Sequence, residues 1–182
     1  MVDWVDTQGS VICSVPRPLV HEANLLHRGA GILVRNKEGE VYCHRRADMK
    51  RVFPSMYDMF VGGVSGSGET ARETALREVR EELGVGRQPE SLVHLFDCVV
   101  RTPLNRVVVA VFDYVCGDGE AKDICWQAVE VSWGSFLGRE ELDARVRGAR
   151  ELGEPWEFVP DGLAVWDHYL EWEKAQQPGG QP

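Results

Sequence analysis

Glu78, Glu81 and Glu82 stand three and four residues apart within GVSGSGETARETALREVREELGV, residues 63–85. On a helix turning about 100° per residue, Glu82 falls about 40° to one side of Glu78 and Glu81 about 60° to the other, so the three carboxylates share one arc. Carboxylates at these spacings repel by a few tenths of a kcal/mol per pair, and helix stability gives no reason to collect them. Hard oxygen ligands converging on Mg2+ or Mn2+ would replace the repulsion with coordination, and such an ion keeps waters and binds phosphate oxygens as well. Arg77 lies one turn from both Glu73 and Glu81, where it can hold one carboxylate while others ligate. The ordinary alternative for such a run is a solvated acidic helix face.

The surrounding residues are those needed to position this arc. Ala75, Leu76, Val79 and Leu83 form an adjoining apolar stripe suited to packing on a sheet. Ser65, Gly66, Ser67 and Gly68 allow a tight turn before the helix, and Glu69 and Thr70 suit its positive end. Gly63, Glu69, Arg77, Glu78, Val79, Glu81, Glu82, Gly84 and Val85 together resemble, residue for residue, the box of the Nudix family. With seven fixed identities, a chance match at a given start is rarer than about one in a hundred million.

The resemblance implies an α/β fold, a Nudix-type α/β/α sandwich on a mixed β-sheet. It implies a hydrolase of diphosphate bonds using Mg2+, with Mn2+ as the alternative, held by Glu78, Glu82, Glu81 and the main-chain carbonyl of Gly63. Glu81, Glu82 and Arg77 would be the catalytic residues, with Arg77 orienting Glu81, and Glu69 would support the loop or an outer metal.

Composition sets the limits within which this reading must fit. A chain of 182 residues with 43% hydrophobic and 27% charged residues is ordinary for one globular domain with a sizeable core. A net charge of −9 argues against a nucleic-acid backbone as partner and requires local cations or a metal to meet substrate phosphates. Cys13, Cys43, Cys98, Cys116 and Cys125 are scattered, without a CxxC pair, which speaks against a disulfide framework or zinc site. No apolar run resembles a signal peptide or membrane span, so a cytoplasmic protein is expected.

Along the chain, residues 1–28 read as an N-terminal hairpin and its exit, with Pro16 and Pro18 stopping further pairing and His21 to His27 leading to the next strand. Residues 29–137 read as the core. Gly29 to Arg35 and Glu40 to Arg46 form a strand pair around Asn36-Lys37-Glu38-Gly39, and Asp58 to Val64 leads to the glycine loop. Gly84-Val85-Gly86 ends the acidic helix, Leu92 to Arg101 and Arg106 to Cys116 are longer strands, Gly117-Asp118-Gly119 is a turn, and Ala128 to Trp133 is a short strand. Residues 138–175 hold two helices, Glu140 to Glu151 and one opened by Pro160-Asp161 through about Lys174. The tail 176–182, QQPGGQP, is expected to be disordered. The hairpin and the last helix offer surfaces for a homodimer.

Outside the box, VDTQGSVICSVPR, LLHRGAGILVRNKEGEVYCHRRADMK and FPSMYDMFVGG are similar to the Nudix branch that includes isopentenyl-diphosphate isomerase and its hydrolase relatives. That branch implies that Arg46 and Lys50 contact the diphosphate. Isomerases use a cysteine before the first box glycine and a histidine after it, where this chain has Gly62 and Val64. They also use paired glutamates on the next strands, where this chain has no Asp or Glu between Asp97 and Asp113. Carbon protonation needs such groups within reach of the double bond. His21 and His27 lie near where isomerases place metal-binding histidines. The expectation is therefore a pyrophosphohydrolase acting on a nucleoside di- or triphosphate or other nucleoside-diphosphate-linked compound. An isomerase-like enzyme and a catalytically silent nucleotide-binding domain stand as alternatives. Phe53, Tyr57 and Trp126 are candidates for stacking on a base.

Overall fold

The computed structural model describes residues 1–85, 91–151 and 156–177. It opens on a hairpin of β1 (Val2–Val5) and β2 (Val11–Val15), whose turn is held by Asp6 Oδ1 accepting the backbone N–H groups of Gln8 and Ser10. Where the prolines were expected only to stop pairing, they start a short helix, α1 (Arg17–Glu22). Proline suits a first helical turn because its missing N–H would find no intrahelical partner there.

β3 (His27–Arg35) lies at the centre of the sheet. One edge runs parallel to β8 (Arg106–Val115) along the whole strand, and the other pairs antiparallel with β6 (Val61–Val64). A strand covered on both faces is apolar without alternation, and Ile32, Leu33 and Val34 are fully buried in succession. β7 (Leu92–Arg101) extends the sheet antiparallel to β8. β4 (Val41–Arg46) meets β3 only at Arg35 opposite Val41, and its main partners are β9 (Val131–Leu137) and the short β5 (Tyr57–Asp58).

Helices cover both faces of this mixed sheet, giving the expected α/β/α sandwich. On one face α2 (Ala71–Leu83) buries Ala75, Val79 and Leu83 against Ala30, Ile32 and Val34. On the other, Leu142 and Val146 of α4 (Arg139–Glu151) and Val165 and Trp166 of α5 (Pro160–Gln176) pack with Leu33 and Val111. Each buried Val, Leu or Ile among these contributes about 1.5–3 kcal/mol, which fixes α2 against β3 and β6.

Three local expectations differ. Gly117-Asp118-Gly119 opens a helix, α3 (Asp118–Lys122), because Glu120 folds back to accept the Gly117 N–H and the Tyr114 hydroxyl. The strand expected from Ala128 to Trp133 begins at Val131 and continues to Leu137, its register set by pairing with β4. Gln176, placed in the expected disordered tail, still belongs to α5; residues 178–182 of that tail, like Gly86, lie outside the described residues. No helix among the described residues is long and apolar enough to cross a membrane.

Candidate active site

The loop before α2 and the helix itself are locked by local bonds. Thr70 caps the helix, its hydroxyl accepting the Glu73 N–H while Glu73 returns its carboxylate to the Thr70 N–H at 2.9 Å. At the other end Gly84 takes a left-handed conformation, φ 69°, and its N–H bonds Arg80 O. Glu73 is therefore occupied with capping, and Arg77 turns elsewhere. Its Nε donates to Glu69 Oε1 at 2.9 Å and Nη2 to Glu69 Oε2 at 3.1 Å, while Nη1 reaches Glu78 Oε1 at 2.6 Å and Glu81 Oε2 at 3.2 Å. Nη2 also donates to Val64 O on β6. Glu69, further held by the Gly66 N–H at 2.7 Å, has its carboxyl drawn down to about 2, chiefly by the Arg77 hydrogen bond. A guanidinium thus ties the loop, β6 and three carboxylates of one motif together.

Glu78 and Glu82 sit at the bottom of a cleft of about 880 Å³, each 7% exposed. Glu82 accepts no hydrogen bond and holds no ion pair among the described residues. Burial first, and the neighbouring Glu78 charge second, push it up to about 8. Burial also raises Glu78, against the pull of Arg77. Gly63 faces this pair, and a Cβ there would overlap Glu78 Oε1, so the glycine makes the space the carboxylate occupies. Glu81 lines the same cleft from its rim, with 54% of its side chain exposed. The helix does not bring the three acids to one point: among the described residues no three His, Cys, Asp or Glu side chains already enclose a metal position. Two adjacent buried carboxylates, one without a bonded cation among the described residues and only the more distant charges of Arg46 and Lys50 to oppose its burial, nevertheless fit a hard divalent cation, since their charged forms are costly until a cation joins them.

Cations enter the cleft from several elements. Arg46 and Lys50 both line it, but each is engaged: Arg46 donates to the carbonyls of Phe53 and Val52, and Lys50 pairs with Glu130. Arg17 on α1 and Arg51 after β4 also line it, and neither holds a hydrogen bond or ion pair among the described residues. Both were missed in the sequence, where nothing local to Arg17 or Arg51 points toward the acidic helix. Of the candidate stacking residues, Phe53 lines the cleft, whereas Tyr57 stacks on Trp156 with centroids 3.9 Å apart. Trp126 does not line the cleft. At the isomerase cysteine position, a side chain on Gly62 would run into the backbone carbonyl of Ala30, so β6 is built for glycine there.

A NUDIX domain profile matches residues 25–150, which span the elements that line this site except α1 and α5. The chain belongs to the Nudix family. An uncharacterized Nudix hydrolase of Streptomyces coelicolor is 38% identical over 98% of this chain and 93% of its own, and one of Rhodococcus erythropolis is 36% identical over 90% and 88%. A Deinococcus radiodurans crystal structure superposes with a TM-score of 0.71 at 24% identity, covering 92% of this chain and 98% of that one. The NUDIX domain of Shewanella oneidensis NrtR, in complex with ADP ribose, superposes with a TM-score of 0.54 at 13% identity, covering 79% and 86%. As a Nudix hydrolase, the protein is an enzyme of phosphoric anhydride bonds.

Proposed function

We propose that this Nudix hydrolase is a Mg2+-dependent pyrophosphohydrolase, with Mn2+ able to substitute, cleaving the diphosphate bond of a nucleoside di- or triphosphate or another nucleoside-diphosphate-linked compound. The observation that carries the reading is the buried Glu78 and Glu82 pair, left short of positive charge at the bottom of a cleft whose walls carry cations. Glu78, Glu82 and the Gly63 carbonyl would hold the ion, with Glu81 joining from the rim. The bound ion supplies neutralisation of phosphate charge and a water of lowered pKa.

The chain's own residues do the rest. Arg77 keeps Glu69 and Glu78 in place, a positioning role acting through those carboxylates. Arg46, Lys50, Arg17 and Arg51 orient the phosphates, and Arg17 and Arg51 have no competing partner to give up among the described residues. Glu81, open to water, is the carboxylate placed to accept a proton from the attacking water through its Oε atoms. A cleft of this volume suits a nucleotide-sized ligand, and the NrtR domain of the same fold is complexed with ADP ribose. An isomerase has less support, because Gly62 leaves no room for a cysteine side chain. All five cysteines are free, as a reducing cytoplasm would require. The residues act as a single domain on a small molecule.

Release of phosphate or nucleoside monophosphate from a panel of diphosphate compounds, with and without Mg2+, tests this. Turnover of at least one compound only when the metal is present is expected. Absence of turnover together with thermal stabilisation by a nucleotide would overturn the hydrolase reading in favour of a silent binder.

A further inference from the structure

Three side chains that line the cleft carry hydrogen-bond acceptors with nothing to accept among the described residues. His27 is 1% exposed, and its Nδ1 lies 2.9 Å from Leu25 O. A carbonyl only accepts, so Nδ1 carries the proton and Nε2 presents its lone pair; Nε2 is buried without a partner. Burial lowers the pKa of this ring and keeps it in that neutral form. Asn105 Nδ2 donates to Asp161 Oδ2 at 2.7 Å, which fixes the amide orientation. Asn105 Oδ1 and Asp161 Oδ1 are then the atoms left over, and both are buried without a partner. The three residues come from β3, the β7–β8 turn and the first turn of α5, and all line the one cleft.

Buried acceptors without donors are uncommon and costly, and three around one cavity mark a place where a ligand's donors belong. Phe60, Val107, Val109 and Val165 line the same cleft. A polyol would set its hydroxyls against that apolar surface, whereas a flat heteroaromatic ring lays its faces there and turns its N–H edge to the acceptors. Resting on the hydrolase reading above, we propose that His27 Nε2, Asn105 Oδ1 and Asp161 Oδ1 form a base-recognition subsite selecting diphosphates whose nucleobase carries an exocyclic amino group. The carboxylate region of the cleft then holds the diphosphate, and these acceptors read the group attached to it.

The test compares two pairs of nucleoside diphosphates that differ at one amino group, guanosine against inosine and cytidine against uridine, by kcat/KM and by calorimetric Kd. The amino member of at least one pair should be favoured about tenfold or more, the discrimination expected when a polar site is left unpaired by the wrong ligand. Asp161→Asn keeps the side-chain shape and the bond to Asn105 but turns an amide N–H toward the ligand in place of Oδ1, so the preference should shrink or invert. If that variant fails to melt cooperatively, Asn105→Ala, which removes Oδ1, should weaken the preference instead. Equal affinity and kcat/KM within each pair, or a preference unmoved in a folded variant, would overturn the subsite even if all four compounds turn over. Failure of all four to turn over counts against the hydrolase reading alone, because the Kd comparison still reads the subsite.

Discussion

Two charged clusters flank the sheet, and they differ in how completely their carboxylates are hydrogen-bonded. Between α4 and α5, Arg139 donates to Asp143 at 2.8 Å and with both terminal nitrogens to Glu173, and it lies 4.9 Å over the Trp166 ring. Glu173 also accepts the Tyr169 hydroxyl. Burial works to raise its carboxyl, but the bonds from Arg139 and Tyr169 overcome this and leave it lowered. On α2, one guanidinium is shared among Glu69, Glu78 and Glu81, and Glu82 receives nothing. Both carboxylates of the first cluster are bonded to Arg139. The second leaves Glu82 buried without a bonded partner among the described residues, an excess that the proposed divalent cation would balance.

The largest expected effect comes from removing that excess charge. Glu82→Gln should lower kcat by about a thousandfold, the scale of a lost electrostatic contributor to phosphoryl chemistry. Its metal-free melting temperature should match or exceed that of the parent, because the cost of burying an unpartnered carboxyl, ionised or forced to hold its proton, is gone. A fall in both activity and stability would place Glu82 with the structural charges of the α4–α5 cluster instead.

A third buried acid sharpens the contrast. Asp58 has no bonded cation but accepts the Phe60 N–H, and burial pushes its carboxyl up from 3.8 to about 7, with the nearby Asp161 charge adding and Arg46 opposing. The folded state thus prefers the protonated form. Its stabilising effect is complete below the ordinary carboxylate range and is lost as pH rises through about 7. Asp58→Asn keeps an acceptor for Phe60, so its stability relative to the parent should grow from pH 5 to pH 8, by an amount on the order of a few kcal/mol. Parallel melting curves across that range would show that Asp58 is charged without cost.

The smallest effect belongs to the fully hydrogen-bonded α4–α5 side. Glu173→Gln should cost about 0.5 kcal/mol in chemical denaturation, as half-exposed ion pairs do, and leave hydrolysis unchanged. A loss of activity there would mean that the α4–α5 network reaches the cleft.

What the sequence disclosed follows from distance along the chain. The acidic helix was legible because a helical period, the Glu69-Thr70 start and a glycine stop all lie within residues 63–85. The long apolar runs of β3, β7 and β8 disclosed strands but not their pairing, and the sandwich on a mixed sheet came from the family resemblance. Arg77 was expected between Glu73 and Glu81 because only helical neighbours are visible in a linear reading. Its principal bonds go to Glu69, eight residues back around a loop. Arg17, Arg51 and the meeting of Asn105 with Asp161 were invisible for the same reason, since each depends on elements that become neighbours only after the sheet has formed. The helix at Arg17–Glu22 was hidden by prolines that serve equally to end a strand and to begin a helix.

The claim on which the account turns is that the unbalanced carboxylates of α2 form a divalent-cation site. Calorimetric titration of Mn2+ or Mg2+ into the nucleotide-free protein, beside Glu82→Gln and Glu173→Gln, measures it directly. Binding by the parent and by Glu173→Gln, with affinity lowered at least about tenfold in Glu82→Gln, is the predicted result. Equal binding by all three proteins, or binding by none, would contradict it.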